Sequence, residues 1–338
     1  MTSKTFINGT SNRVQFSKRW SIVTWLIVIL FIAGCSAERM QPRAKKPKSD
    51  KLRFAFITCA VDAKFFEPVR KGMNDAARMM GVECDFLGTE GVDVKAQADM
   101  VRKAVAFGYN GIALNIIDPE AFDSVVREAI AKGVPVVAFN VDDHETPNAR
   151  LSSVNQRLYE AGQTLAERLF PLVPEGAHVL MTMHDEGVSA LDDRLLGEQL
   201  ILKEKNVRWT VLVTGNDSTK GAEIVAKALK DHPDIRIIFG TGQADTEAAG
   251  RAIEKYFPNK NCWSAGFDLS PKTLQLIQKG YIRCTVDQQP YIQGFYPVIQ
   301  LTLYLRYGIV PSDIDAGAAI ISKSNVEQVI ELTKQKYR

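Results

Sequence analysis

Residues 111–140 read GIALNIIDPEAFDSVVREAIAKGVPVVAFN, and this stretch decides the fold class. Its two ends, 111–117 and 134–140, are apolar at both odd and even positions, as strands buried on both faces of a parallel sheet must be. Between them, Asp118 begins a helix signal that a proline strengthens, and Gly133 is a stop signal. The stretch therefore predicts a strand, a helix and a second strand parallel to the first.

The same alternation continues over most of the remaining chain. Short apolar runs that predict strands occur at 52–58, 82–87, 177–183, 207–213, 235–241, 262–268 and 281–287. Apolar residues at helical spacing lie between them, as in Val69, Met73, Ala76 and Met80, and in Val94, Ala98, Val101 and Val105. Ser270 with the following proline, and then Gly280, bracket another predicted helix.

Alternating strands and helices imply right-handed crossovers and open, doubly wound sheets. Nine strands are many for one such sheet, and an irregular stretch at 141–154 interrupts the series before it resumes. The predicted fold class is therefore α/β, with two lobes that each contain a doubly wound parallel sheet. In such sheets ligands bind beyond the carboxyl ends of the strands, so the residues just after each strand are the candidate contacts.

The amino-terminal segment predicts export. Residues 31–36, FIAGCS, end an apolar run that follows basic residues, and this pattern is typical of a secretory signal peptide, here 1–34. The Ile-Ala-Gly-Cys tetrad resembles the bacterial lipobox, by which Cys35 would carry lipid and 35–50 would be a flexible basic tether at a membrane. An uncleaved anchor helix is the alternative, although the apolar run of about 15 residues is shorter than a membrane span.

Composition excludes some functional classes. The chain has 338 residues, 46% of them hydrophobic, which is enough for a globular protein with a substantial core. The formal charge of +3 comes from the signal segment and the tether, and the body that remains is close to −4. This charge argues against nucleic acid as a partner.

The cysteines predict neither a metal centre nor a redox motif. Apart from Cys35, the chain contains Cys59, Cys84, Cys262 and Cys284, and none of them forms a CxxC pair. Four buried thiols are the expected state, and a bridge between Cys262 and Cys284 is the alternative that an exported location permits. The four histidines are scattered, and we expect no metal and no cofactor.

Polar and aromatic residues follow most of the predicted strands. Carboxylates and amides can pair with ligand hydroxyls, and aromatic faces can cover the C–H face of a sugar ring. The candidates for ligand contact are Phe65, Phe66, Asn140, Asp142, Arg194, Asn216, Gln243, Asp245, Asp268 and Gln288.

Each kind of candidate also has a structural interpretation. Asp118 and Asp217 are equally well explained as helix caps, and one of the two phenylalanines is expected to be core. His184 is interpreted as a loop-surface residue. Sequence motifs for a nucleophile elbow, a zinc protease and a P-loop are absent. We therefore predict a binding protein and not an enzyme, with a glycosidase, which needs two carboxylates at a set separation, as the remaining enzymatic alternative.

Two motifs are the most specific: residues 266–268 read Gly-Phe-Asp, and residues 285–291 read TVDQQPY. Three further stretches accompany them, namely 54–66 with its paired phenylalanines, 134–140, and 189–197, SALDDRLLG. Together they resemble the ribose/galactose-type periplasmic sugar-binding proteins, which are type I substrate-binding proteins of ABC importers. The resemblance runs from about residue 51 to about residue 325.

This resemblance implies roles for individual residues. Arg194 would donate to ligand hydroxyls, Asp268 would bind sugar, and Gln288 would contact the ligand at a hinge. The chain departs from the family where Asn140 follows the fourth strand in place of an aspartate, and where Asn216 stands in place of an aromatic residue. These departures leave polyols, modified sugars and other small oxygenated ligands open.

The resemblance also implies how the lobes are divided. The chain would cross a three-strand hinge near 153–155, 288–289 and 316–319. Lobe one would comprise 51–154 plus 289–317, and lobe two 155–288 plus 318–338. The amphipathic segment 291–307 would then pack on lobe one.

The function implied is that of a monomeric lipoprotein which captures a small sugar or polyol-like ligand and delivers it to an ABC permease. The alternative within the same fold is a sensor that presents its ligand state to a membrane kinase or chemoreceptor. Cytoplasmic repressors share the fold, but they carry a helix-turn-helix where this chain has its lipobox-like segment.

Overall fold

A computed structural model describes residues 51–118, 120–142, 149–259 and 261–338. The predicted signal peptide, Cys35 and the tether lie outside these residues. Within the described ranges, no helix has both the length and the apolar character that crossing a membrane requires.

The described residues contain two six-stranded sheets. The first is built from β1 (Arg53–Thr58), β2 (Glu83–Gly88), β3 (Gly111–Leu114), β4 (Val136–Asn140), β5 (Ser152–Asn155) and β11 (Ile314–Asp315). The second is built from β6 (His178–Met183), β7 (Arg208–Val213), β8 (Ile237–Gly240), β9 (Trp263–Phe267), β10 (Ile282–Asp287) and β12 (Ala319–Ser322).

The two sheets have matching strand orders. The first runs β2-β1-β3-β4-β5-β11 and the second runs β7-β6-β8-β9-β10-β12. Every pair in the first sheet is parallel. The second sheet is parallel except at its edge, where β12 pairs with β10 in the antiparallel direction. The predicted class of two doubly wound α/β lobes is confirmed, with that one antiparallel strand as a difference.

Ten α-helices lie in the described residues. They are α1 (Glu67–Met80), α2 (Val94–Ala106), α3 (Asp123–Ala131), α4 (Leu158–Leu169), α5 (Ser189–Leu202), α6 (Ser218–Asp231), α7 (Gln243–Tyr256), α8 (Pro271–Lys279), α9 (Pro290–Tyr307) and α10 (Val326–Lys334). We call each sheet, with the helices packed on its faces, a lobe.

Each sheet is covered on both faces, as the doubly apolar strands predict. In β1, Phe54 and Phe56 belong to the core on one face, while Ala55 and Ile57 belong to the core on the other. The segment 291–307 forms most of α9 and packs into the core around Phe56, as predicted. Burial of these side chains from both sides stabilises the sheet by about 25 cal/mol per Å² of apolar surface.

The structure adds three short strands that the sequence pattern does not reveal. β5 falls at the end of the stretch that the sequence marks as irregular, and β11 and β12 are two and four residues long. Runs of this length are too short to show a period. Through them the chain passes between the sheets, but the residue-by-residue division into lobes stays a prediction.

The helix-start signals have mixed outcomes. Ser270 and Asp217 cap α8 and α6, because their side chains accept hydrogen bonds from backbone amides of the first turn. Asp118 does not cap α3, which begins five residues later at Asp123. Its carboxylate instead accepts from the amides of Glu120 and Ala121 in a preceding turn.

The bridge between Cys262 and Cys284, which is the alternative to four buried thiols, is not formed, because Cys284 is a free thiol in the second-lobe core. Cys284 is buried as expected, whereas Cys59, Cys84 and Cys262 are only partly buried. Burial raises the pKa of Cys284 to about 12. The thiol therefore stays protonated and behaves as a small apolar side chain.

The last residues of the chain reach back to the first lobe. Lys336 lies 3.3 Å from Glu67 on α1. The Nε of Arg338 lies 2.9 Å from the Oδ2 of the buried Asp287, at the end of β10. Lys336 therefore contacts the first lobe and Arg338 contacts the second, although both follow α10, which packs on α8 of the second lobe.

Candidate functional site

Two residues occupy corresponding positions in the two lobes. Asn140 ends β4 in the first sheet, and Asp268 directly follows β9 in the second. Both have left-handed backbone conformations, with φ of 65° and 68°. Such conformations are costly for residues other than glycine and concentrate at functional sites. The two side chains thus mark the carboxyl ends of both sheets.

A chain of buried amides joins these two residues. The Asn140 Nδ2 donates to Gln288 Oε1 at 3.1 Å, and Gln288 Nε2 donates to Asp268 Oδ1 at 2.6 Å. Gln293, one turn into α9, accepts from Asn140 Nδ2 at 3.1 Å and donates to the Gln288 backbone oxygen at 2.9 Å. The side chains from the two lobes are therefore connected directly through Gln288.

Arg194 brings the positive charge to this network. It projects from the first turns of α5, is 2% exposed, and places Nη1 3.6 Å from Asp268 Oδ2. Its guanidinium also donates to the Thr241 backbone oxygen at 2.8 Å and to Gln156 Oε1 at 2.8 and 3.2 Å. It lies 4.2 Å from the centroid of the Phe267 ring. These contacts hold the fork of donors in one orientation.

Burial sets the electrostatics of the pair. Desolvation lowers the pKa of Arg194 and raises the pKa of Asp268, while the attraction between the two groups opposes both shifts. An arginine stays protonated in proteins, so the guanidinium remains the local cation. A buried charge pair of this kind can recognise hydroxyl groups, which both donate and accept.

A second cluster lies beside the first in the second lobe. Asp245, fully buried, accepts from the Thr241 amide at 2.8 Å and lies 2.9 Å from His184 Nδ1. Burial opposes the charged form of His184, but the bond to Asp245 outweighs it and raises the pKa of the imidazole. Gln243 donates to the Leu269 backbone oxygen at 2.6 Å, next to Asp268. The interpretation of His184 as a loop-surface residue is wrong, because its ring is held by Asp245.

Four candidates lie apart from this network. Phe66 is 4% exposed in the first-lobe core, and Phe65 packs partly buried against the same cluster. Asn216 is exposed and donates to Asp185 at 3.2 Å. Asp142 makes a two-pronged ion pair with Arg150. One phenylalanine is thus core, as expected, and the structure gives Asn216 no place in the buried network.

Several residues of the buried network are not among the candidates predicted from the sequence. Gln156 follows β5, a strand too short to recognise, and Gln293 lies inside a helix and not after a strand. Asn115 donates to Asn140 Oδ1 at 3.0 Å and accepts from the Thr58 hydroxyl. A search that extended to the first turn of the helix after each strand would have found Gln293.

The lobes also meet through an apolar contact. Ala190 and Val188, at the start of α5, pack in the first-lobe core cluster that contains Ile116 and Ile117. The Ser189 hydroxyl donates to the Ile117 backbone oxygen at 3.2 Å. This contact lies beside the buried network and holds the two lobes together there.

Glu198 is a buried carboxyl behind Arg194 on the same face of α5. It is fully buried, and both carboxyl oxygens lack a hydrogen-bond partner among the described residues. Desolvation, with repulsion from Asp245, raises the pKa of Glu198 well above its usual range, against the attraction of Arg194. The group is therefore the neutral acid at pH values between the pKa of a glutamate in an unfolded chain and its own raised pKa.

This raised pKa predicts how stability depends on pH. An unfolded glutamate releases its proton near pH 4.3 and the folded one does so at higher pH, so the buried acid costs stability increasingly as pH rises between the two values. Glu198→Gln removes this cost. We expect the free energy of unfolding of E198Q, minus that of the wild type, to grow by up to about 1.4 kcal/mol per pH unit above pH 4.5.

Urea unfolding from pH 4.5 to 8 measures this difference. Glu204→Gln, which removes an exposed carboxyl just beyond α5, controls for the change in net charge. A difference between E198Q and the wild type that stays constant over the whole range would contradict the assignment of Glu198 as a neutral acid.

Comparison with known proteins places the chain in a family. A family model described as a periplasmic binding protein domain matches residues 54–308. The chain belongs to the periplasmic binding protein family. This confirms the resemblance drawn from the sequence motifs, and it identifies a binding protein and not an enzyme.

Two curated relatives of this periplasmic binding protein cover most of its length. The xylose/arabinose-binding protein XylF of Sulfolobus acidocaldarius is 30% identical over 298 residues, which is 83% of this chain and 73% of that protein. The ribose import binding protein RbsB of Bacillus subtilis is 26% identical over 279 residues, covering 82% of this chain and 90% of that protein.

One solved structure is similar to this binding protein over both lobes. The carbohydrate transporter of Acidothermus cellulolyticus 11B, in complex with myo-inositol, is 28% identical with a TM-score of 0.77. The match covers 85% of this chain and all of that one. The similarity therefore extends over both sheets and not over one lobe alone.

Proposed function

We propose that this protein is an exported binding protein that captures a small sugar or polyol between its two lobes and delivers it to an ABC permease. The observation that carries the proposal is the buried chain from Asn140 through Gln288 to Asp268 and Arg194. It presents donors and acceptors of both lobes at the carboxyl ends of their sheets, where α/β sheets bind ligands.

The chemistry of this network favours a neutral, polyhydroxylated ligand. Each hydroxyl group can donate to a carboxylate or amide oxygen and accept from a guanidinium or amide nitrogen. A site built this way rejects analogues without hydroxyls, because its buried polar groups would lose their partners. The names of the relatives point the same way, since xylose, arabinose, ribose and myo-inositol share this chemistry.

We assign the ligand contacts in two groups. Arg194, Asp268, Gln288 and Asn140 form the centre, since they are buried and connected across the lobes. The other candidates from the sequence stay proposed contacts at the periphery: Phe65, Phe66, Asp142, Asn216, Gln243 and Asp245. Asp245 also orients His184.

A ligand held by both lobes provides the signal that a permease can recognise. Contacts to Asn140 on one side and Asp268 on the other exist together only when the lobes are close, so the ligand stabilises the closed form. The contact of Ser189 with Ile117 adds to this closed form. We further propose that Cys35 carries lipid and keeps the protein at the outer side of a membrane.

The proposed function predicts a bound or bindable small carbohydrate. Native mass spectrometry of residues 36–338, purified gently from the producing cell, should detect a ligand of sugar-like mass that is lost on denaturation. A thermal-shift and calorimetry panel of D-xylose, L-arabinose, D-ribose and myo-inositol should give saturable binding of at least one compound, with tight binding raising the melting temperature.

Three outcomes are informative. Absence of saturable binding to any sugar or polyol would contradict the proposal. Binding that is accompanied by loss of sugar uptake when the gene is deleted would support delivery to a permease. Binding with unchanged uptake but an altered transcriptional response would favour the sensor alternative.

A further inference from the structure

Away from the proposed sugar site, three side chains of types that can bind a metal ion lie close together. His178 is the first residue of β6, and His232 and Asp234 lie in the short connection between α6 and β8. One ligand atom from each of these three residues lies within 4.8 Å of the others. The cluster is at the amino ends of the second-sheet strands, whereas Asp268 marks their carboxyl ends.

The three donors are positioned by the backbone. The Ile235 amide donates to the His232 backbone oxygen at 3.1 Å, which closes a turn that contains Pro233. Pro233 restricts the backbone of this turn, so the backbone positions of His232 and Asp234 have little conformational freedom. His178 is fixed by strand pairing, since it lies opposite Arg208 in the β6–β7 ladder.

Contacts around the ring of His178 orient it further. Its Nε2 lies 3.0 Å from the Thr210 hydroxyl, and its Nδ1 lies 2.8 Å from Asp234 Oδ2. The His178 and His232 rings pack edge to face with centroids 5.6 Å apart. A hydrogen bond from one imidazole nitrogen to an outer residue is the arrangement that fixes a metal-binding histidine.

We propose that His178, His232 and Asp234 bind one Zn²⁺ ion, or a divalent transition metal of similar chemistry. Two imidazoles and one carboxylate form a donor set that suits zinc, and tetrahedral coordination places ligand atoms about 3.3 Å apart. The observed ligand atoms lie within 4.8 Å of one another, and the His232 side chain is exposed and has room to rotate towards the other two. The fourth position is open to water, because Asp234 and His232 face solvent.

Arg208 is the competing cation at this site. Its Nη2 lies 3.4 Å from Asp234 Oδ2, and its side chain is 69% exposed. Exposed ion pairs of this kind contribute little energy, so a divalent ion can displace the guanidinium. The structure therefore predicts that removing Arg208 leaves zinc affinity unchanged or makes it tighter.

The test uses tag-free protein of residues 36–338 and Zn²⁺ alone, measured by calorimetry, with Co²⁺ absorption as a report of tetrahedral coordination. We expect one equivalent of Zn²⁺ to bind in the wild type and in Arg208→Ala, and at least tenfold weaker binding in His232→Ala. His178→Ala should behave like His232→Ala. Because His232 is exposed, its replacement should not disturb folding, and circular dichroism checks this.

The expected cobalt spectrum has visible bands that disappear in both histidine variants. Lack of saturable Zn²⁺ binding in the wild type would overturn the proposal, as would equal binding by the wild type and His232→Ala. Zn²⁺ binding tests the metal site, and sugar binding tests the proposed function at the other end of the sheet. The two measurements are independent, so a negative result in one does not decide the other.

Discussion

Replacing Arg194 with alanine is expected to weaken binding of the best sugar ligand by about 100-fold or more. Loss of a charged partner in a desolvated site costs about 2–5 kcal/mol, and each 1.4 kcal/mol is a factor of ten. Arg194 is 2% exposed, donates hydrogen bonds to Gln156 and Thr241, and forms an ion pair with Asp268. Its removal takes away the cation and leaves the carboxylate of Asp268 without its counter-charge.

The effect of these substitutions on ligand affinity must be separated from their effect on the stability of the fold. Arg194→Ala also leaves buried carboxyl groups uncompensated, and breaking a buried pair typically costs about 3–5 kcal/mol of stability. Asp268→Asn offers a gentler change, because the asparagine side chain keeps the shape and can still accept from Gln288 Nε2. Isothermal titration of folded variants, verified by circular dichroism, measures affinity independently of stability.

Two further variants sharpen this test. Arg194→Lys keeps the charge but loses the planar fork, so affinity should fall between that of Arg194→Ala and the wild type. Arg251→Ala removes a half-buried arginine of the same lobe that pairs with Glu247 at 2.6 Å and should leave affinity unchanged. Unchanged affinity in both Arg194→Ala and Asp268→Asn would show that the site lies elsewhere.

The fold was largely predictable because its signals are local. Strands such as β1 and β4 are apolar at every interior position, as in residues 54–57 and 136–139, and this is the pattern of a strand buried on both faces. β11 and β12 were missed because two to four residues show no period, and their places depend on pairing with β5 and β10. Long-range pairing of this kind leaves no local trace in a sequence.

The positions of the candidate site residues could be predicted where these residues follow strand ends. Their hydrogen-bond partners could not be predicted. Asp268 and Asn140 come directly from the strand-end rule, and their left-handed conformations accompany the abrupt end of each strand. The sequence contains no signal that Gln288 would bridge them, or that His184 would turn towards Asp245. Those choices depend on burial, which forces each polar group to find a partner.

The cluster of His178, His232 and Asp234 shows the same limit. The sequence predicted no metal site, because His178 and His232 are 54 positions apart and the histidines are scattered along the chain. The sheet brings them together, since β6 and β8 are neighbours and the turn before β8 lies beside the start of β6. Proximity of this kind follows from the strand order and not from spacing along the chain.

The second large effect is expected from Gly197→Ala. Gly197 lies where α5 crosses α4, and a Cβ there would fall far inside van der Waals contact of the Tyr159 backbone oxygen. The contact is reciprocal, because a Cβ on Gly162 of α4 would meet the Arg194 backbone oxygen. Backbone cannot yield as a side chain can, so the two helices must separate, at a cost of about 3 kcal/mol.

The same substitution should reach the ligand site, since Gly197 lies one turn after Arg194. Moving α5 away from α4 shifts the guanidinium relative to Asp268, which follows β9 and does not move with α5. We expect G197A to lower the melting temperature and also to weaken sugar binding. This gives a physical reason for the three-residue spacing of Arg194 and Gly197 in the stretch 189–197: the glycine allows the close helix contact that positions the arginine.

The first lobe supplies an internal comparison. Gly294 of α9 and Gly72 of α1 make the same reciprocal approach, to the backbone oxygens of Val69 and Tyr291. Gly72→Ala should therefore destabilise the protein as much as Gly197→Ala, but with a smaller effect on affinity at equal fraction folded, because α1 carries no residue of the buried network. Leu196→Ala, on the exposed side of α5, should change neither property. Equal stability of G197A and the wild type in urea would contradict the close-contact explanation, and equal loss of affinity in G197A and G72A would show that stability alone decides binding.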